Sequence, residues 1–227
     1  MKRFAVTALV VMLGVGATAS STQAAVFHLE AVPKLPVLIL GVGPGSSSKI
    51  TTDDMTITCR QTFFGATTGF LKTVWTKDSS QLNIAPTYSE CTYGGGLSAA
   101  YIHTTGCRVR FSVGEEIGSG TYNGTLGIVN TGECVNNEIY VERGICRWSF
   151  PVQEGHATVE YSNTEYSPPK KTTVEAVAAK LTVTGLEYSL SGVCSAKDGS
   201  YSDGKWQETV TLFAEEESGT PLNFIIQ

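Results

Sequence analysis

Residues 88–113 read YSECTYGGGLSAAYIHTTGCRVRFSV, and this stretch decides the fold class. Beyond Cys107, Val109, Phe111 and Val113 fall on one side of an extended chain, and Arg108, Arg110 and Ser112 on the other. Alternation with period two marks a strand with one buried face, because successive side chains point to opposite sides of a sheet. Gly94-Gly95-Gly96 supplies a turn, so the stretch predicts a hairpin with Cys91 near one end and Cys107 near the other. Further on, Cys146-Arg147-Trp148-Ser149-Phe150-Pro151-Val152 echoes Cys107-Arg108-Val109-Arg110-Phe111-Ser112-Val113. The echo is compatible with two sheets or half-repeats, with a break near 114–130.

Working outward, the six cysteines permit fifteen connectivities, among which sequence alone does not choose. The pairing favoured here assumes that hairpin neighbours meet first. It joins Cys91 to Cys107 and Cys134 to Cys146, and leaves Cys59 and Cys194 to close the long loop.

Lys2 and Arg3 precede an apolar run from Phe4 to Ala17 and then small residues, the layout of a secretory signal. Cleavage after Ala24 is favoured over Ala19, because Ala25-Val26-Phe27-His28-Leu29 already reads as mature chain. The expected organisation is a signal over residues 1–24 and a single secreted domain over 25–227. The apolar run falls short of the roughly 20 residues a bilayer span needs, which makes a membrane anchor the less favoured reading. With no second long apolar run, the expectation is an extracellular chain without a membrane span after signal removal. In an exported chain an even cysteine count predicts three disulfides, free buried thiols being the competing reading.

Without Lys2 and Arg3 the chain carries 14 basic and 21 acidic residues, a formal charge of −7. Only Lys170-Lys171 cluster, which argues against nucleic acid, whose phosphates need grouped Lys and Arg. Low charge and 24 glycines suit an all-β chain with many turns.

Strands are expected at Val37 to Leu40, Met55 to Cys59, Phe63 to Ala66, Gly69 to Trp75, Leu82 to Ala85 and Tyr122 to Val129. Gly41 to Lys49 reads as a flexible linker. A hairpin joins Glu138–Glu142 to Cys146–Phe150 through Arg143-Gly144, and Ala157 to Tyr161 follows. Val174 to Lys180 has helical propensity, but Val177, Ala179, Leu181 and Val183 alternate, and Leu186, Tyr188 and Leu190 resume the pattern. That favours strand. Thr209 to Phe213 is a further strand, and Leu222 to Ile226 a last strand on the sheet or one exposed for pairing with another chain. The whole predicts an antiparallel β-sandwich of about a dozen short strands.

The layout resembles a loose group of uncharacterised secreted bacterial proteins. The residues that carry the likeness are Ala25 to His28, Thr56 to Cys59, Tyr88 to Cys91, Gly106-Cys107, Gly192 to Cys194 and Gly199 to Gly204. The resemblance implies export and a cross-linked β fold, and it supplies no catalytic residues.

Chemical motifs are sparse. Ile117 to Gly124 looks like a nucleotide-binding glycine loop but lacks the other kinase motifs, and Gly41 to Lys49 lacks the Gly-Lys-Ser/Thr of a phosphate cradle. No cofactor is predicted. His28, His103 and His156 have no metal-ligand spacing, so no metal is predicted either. No Gly-x-Ser-x-Gly elbow marks a nucleophile among the serines, Ser195 included. Glu115, Glu116, Glu138, Glu142 and Glu160 lie on or near strands, either as a solvated face or as paired carboxylates for glycoside cleavage. Asp198 to Gly204 fails the EF-hand pattern and reads as a turn. Trp75, Trp148 and Trp206, with Tyr88, Tyr93, Tyr101 and Tyr201, form either a platform for sugar rings or core packing. Together with His103 and His156, the tryptophans are the candidate ligand residues. The function expected is binding of a glycan or protein surface, or a structural role at the cell surface. The alternative is an extracellular hydrolase, glycosidase- or esterase-like, built from scattered Glu, Ser and His.

Overall fold

The alternating segments do become strands. A computed structural model of the chain describes residues 27–28, 37–45, 48–65, 74–75, 81–96, 98–154, 157–216 and 218–226, with backbone alone at 27, 28, 37, 74 and 75. The first half gives β1 (Phe27–His28), β2 (Val37–Gly43), β3 (Ser48–Thr51), β4 (Thr56–Phe64), β5 (Val74–Trp75), β6 (Gln81–Ile84), β7 (Pro86–Tyr93), β8 (Ser98–Ala99) and β9 (Tyr101–His103). The second gives β10 (Arg108–Gly118), β11 (Thr121–Val129), β12 (Glu138–Arg143), β13 (Cys146–Pro151), β14 (Ala157–Tyr166), β15 (Val174–Gly192), β16 (Gly199–Glu215), β17 (Pro221–Leu222) and β18 (Ile225–Ile226). Among the described residues the one helical piece is a 3-10 turn at Val135–Asn137, and no helix is long and apolar enough to cross a membrane.

Sixteen strands form one branched antiparallel sheet, and β1 pairs with β18 apart from it. Strand β15, 19 residues long, is the spine. On one side it pairs with β14 over its first half and with β13 near its end, and on the other it runs beside β16. From β16 the sheet continues to β2 and β3, then β4 and β7. From β14 it continues to β11, β10 and β6. Strands far apart in that order meet through their side chains. Phe64 of β4 packs edge-on against Phe111 of β10 at 5.6 Å, and Tyr93 of β7 lies 6.5 Å from Trp148 of β13. The sheet is therefore folded over one apolar core, to which β2, β4, β10, β13, β15 and β16 all contribute. The all-β antiparallel expectation holds, but β15 and β16 are long strands.

Propensity loses to burial at Val174 to Lys180, which is strand because Val177, Ala179, Leu181 and Val183 are buried at 1% exposure or less. Three other expectations need correction. Gly41 to Gly43 belong to β2 and are not a linker, since a Cβ at Gly41 would stand 2.8 to 2.9 Å from Leu212, Phe64 and Val210. Gly199 to Gly204 open β16 and are not a turn. Residues 88–113 are not one hairpin: β7 turns at Gly94 to Gly96 into the two-residue β8, whereas β10 pairs with β11 and β6.

That last difference rewrites the disulfides. All six cysteines are bonded, as Cys59–Cys91, Cys107–Cys134 and Cys146–Cys194. The predicted Cys91–Cys107, Cys134–Cys146 and Cys59–Cys194 bonds do not form. Sheet register decides the matter, for β4 and β7 place Cys59 and Cys91 directly opposite each other. Each bond joins the next cysteine along the chain and closes a loop of 27 to 48 residues. In the chain-entropy model such loops each contribute between about 3 and 4.7 kcal/mol.

The apolar tail docks on the core as expected, but only Pro221–Leu222 joins the main sheet, beside β16, while Ile225–Ile226 pairs with β1. Asn163 on β14 accepts from the Ile226 N–H at 3.0 Å and donates to its carbonyl at 2.9 Å, standing in for a neighbouring strand. Phe224, Ile225 and Ile226 are buried.

Candidate functional site

Strand β13 parts from β15 at its far end, and a groove opens there. The two are paired from Cys146 and Gly192 to Ser149 and Ser189. Pro151 has no N–H to extend the ladder. Beyond it the Gln153 side chain takes over, accepting from the Glu187 N–H and donating to the Glu187 carbonyl, each at 3.0 Å. The β15–β16 register also shifts between Leu186 and Tyr188. The groove encloses about 410 Å³, within the range of small-ligand sites. Ser149, Ser189, Ser200 and Ser202 line it, with Glu138 and Glu187 as its charged groups and Pro151, Tyr188 and Tyr201 completing it.

One side of this groove is fixed by contacts between side chains on β9, β12 and β13. Tyr140 is the register partner of Ser149 on one side and of His103 on the other. The His103 ring stacks on it at 4.5 Å and 15°, and the Arg147 guanidinium lies over it at 3.7 Å from the ring centre. A cation over a ring face is attracted by its quadrupole. Arg147 also pairs with Glu138 and donates through Nε to Ser149 Oγ at 3.1 Å. His103 Nε2 stands 3.4 Å from Glu142. The contacts run unbroken from Glu142 through His103, Tyr140 and Arg147 to Glu138.

The sequence candidates separate accordingly. His103 reaches this face. Trp148 and Trp206 are 1% and 3% exposed, so both are core residues with no surface for a sugar. Trp75 is described by its backbone alone, and His156 and residues 1–24 lie outside the described residues. Among the aromatics, Tyr101 is 64% exposed, Tyr93 is covered by Arg143 at 3.8 Å and Tyr201 is half-buried. Of the carboxylates, Glu138 lines the groove, Glu160 faces Lys180 at 3.5 Å and Glu116 accepts from the Gly120 N–H at 2.8 Å. Among the described residues no group of three or more His, Cys, Asp or Glu gathers as a metal site would require.

A second polar cluster is internal. Glu208 sits on the core face of β16 between Trp206 and Val210, 2% exposed. One carboxyl oxygen accepts from Trp206 Nε1 at 3.1 Å and from Ser48 Oγ at 3.4 Å. Its other oxygen, the Thr62 hydroxyl and the Tyr88 hydroxyl are buried without a hydrogen-bond partner. Burial pushes the Glu208 carboxyl up to about 8, against the opposing pull of Thr62, Trp206 and Ser48. Thr62 exerts that pull without reaching ordinary hydrogen-bond geometry. Burial, aided by the nearby Glu208, likewise raises the Tyr88 hydroxyl well above its ordinary value. At neutral pH Glu208 is a neutral acid inside the core.

Sequence reading named Glu138, Tyr201 and His103 on this face but missed Glu187, the lining serines and the buried Glu208. Glu208 was visible as the acidic member of the apolar series Trp206, Val210 and Leu212. The groove was not, because it depends on where β13 and β15 part. No protein-family model, curated protein or solved structure matches the chain.

Proposed function

We propose that the protein works outside the cytoplasm as a binding protein, and that the groove beside Tyr140 takes a polyhydroxylated ligand, a glycan. The observation that carries this reading is the groove itself: four serine hydroxyls in an open 410 Å³ depression, beside side chains held by an Arg147–Glu138 pair and a stacked His103–Tyr140 pair. Sugar hydroxyls both donate and accept, and serine hydroxyls answer both. An immobile surrounding keeps the ordering cost of binding low. Three disulfides and the signal-like start support the extracellular setting.

The test is a panel of soluble oligosaccharides and insoluble polysaccharides, probed with the oxidised chain and with a Ser189→Trp variant that fills the groove. Binding by the first and loss in the second is expected. No binding across the panel overturns the reading.

A second reading, glycoside hydrolysis, gains from one observation. Glu138 and Glu187 line the same groove, on strands separated by β13. Adjacent strands lie about 4.8 Å apart, so backbones two strands apart stand about 9.6 Å from each other. Inverting enzymes hold their carboxyls roughly 6.5–9.5 Å apart, a separation that side chains leaning toward each other from those backbones can reach. Reducing-sugar release from the same panel, abolished by Glu187→Gln, is the result that would favour hydrolysis over binding.

A further inference from the structure

We infer that the groove selects a positively charged amino sugar, of the glucosamine type, over neutral and acidic glycans. The inference rests on the glycan reading above and adds the charge of the ligand. The lining holds two carboxylates, Glu138 and Glu187, and no basic side chain. They are not equivalent. Glu138 is neutralised from beside the groove by Arg147, whereas Glu187 has no cation within ion-pair distance among the described residues.

Glu187 is also held in place. Both its backbone N–H and its carbonyl are bonded to Gln153, so its backbone is anchored at the groove's side while the carboxylate is free to turn toward a ligand. Three further features agree. Ser149 already spends one interaction on Arg147 Nε, which leaves Ser189, Ser200 and Ser202 of the lining for ring hydroxyls. A lysine or arginine side chain would satisfy Glu187 but would leave the serine lining without matching groups, which disfavours a basic peptide. The chain as a whole is acidic, with a net charge of −5, so its field draws cations inward and repels uronic or sulfated sugars.

The experiment is calorimetry at about pH 6, where a primary amine is charged. Oligomers of glucosamine, of its N-acetylated form and of a uronic acid are titrated into the oxidised chain. The same titrations follow for Glu187→Gln and for Glu160→Gln, an exposed carboxylate that faces Lys180 on β15 and is not part of the lining. The expected result is glucosamine binding at least about tenfold tighter than the N-acetylated oligomer, the increment of one charge-assisted hydrogen bond. Glu187→Gln should bring that ratio close to one with N-acetyl affinity unchanged, and Glu160→Gln should leave it as it was. Equal affinities for the two oligomers in the unmodified chain overturn the inference while sparing the glycan reading. So does a preference that survives Glu187→Gln. Failure to bind any of the three overturns the inference, and the glycan reading falls with it only when the wider panel also fails to bind.

Discussion

The indole N–H of Trp206 donates to the carboxyl of Glu208, two residues further along the same strand, over 3.1 Å. Both side chains point into the core, and Ser48 reaches the same oxygen at 3.4 Å. The acid stands where β16 changes partner, from β3 at Gln207 to β2 at Thr211.

Its effect on stability has a defined sign. The Glu208 carboxyl rises from 4.5 to about 8 on folding, so between those values the folded chain holds a proton that the unfolded chain has lost. Stability from this group is complete below the unfolded value, falls through the window and stays low above it. Within the window the loss approaches about 1.4 kcal/mol per pH unit. Urea midpoints measured across this range should fall with pH in the parent chain. They should fall less steeply in Glu208→Gln, which ought to be the more stable of the two in alkali.

Asp203 works in the opposite direction. Burial acts to raise it, but the Asp53 N–H at 2.8 Å and the Tyr188 hydroxyl at 3.0 Å outweigh burial and hold it below 3.8. Its contribution is present above the unfolded value and lost as pH falls through the folded one. Asp203→Asn should therefore destabilise the chain at neutral pH and flatten its acid limb. The same urea series, extended into acid, checks it. An unchanged acid limb would count against the two hydrogen bonds.

The disulfide pattern gives a prediction independent of any ligand. Peptide mapping without reductant should link Cys59 to Cys91, Cys107 to Cys134 and Cys146 to Cys194. Removing the first pair by Cys59→Ala with Cys91→Ala should cost about 2–5 kcal/mol. Equilibrium unfolding measures that loss.

Strand positions were legible because alternation at Val109, Phe111 and Val113, or at Val177, Ala179 and Leu181, is a local signal, and every one of these residues is buried. Pairing was not legible. Cys91 and Cys107 look like hairpin partners along the chain, yet the opposite number of Cys91 comes from a strand 32 residues earlier. The groove lies beyond reach for the same reason. Glu138 and Glu187 share it only because β13 stands between their strands and gives way at Pro151, a three-strand arrangement that no window of sequence contains.

Arg147 gives the sharpest test of the groove. Its guanidinium lies over Tyr140, pairs with Glu138 and donates to Ser149. A planar group with several donors can do all three, and a lysine ammonium cannot. Arg147→Lys keeps the charge, so the fold should tolerate it, with less than about 1 kcal/mol lost from a pair that is partly open to solvent. Ser149 would then lose its donor and Tyr140, still stacked on His103, its cation; that side of the groove loosens, and glycan affinity should fall by about tenfold. Thermal unfolding and calorimetry on the same preparation separate the outcomes. A variant with parent-like stability and parent-like affinity would show that the Arg147 contacts play no part in binding.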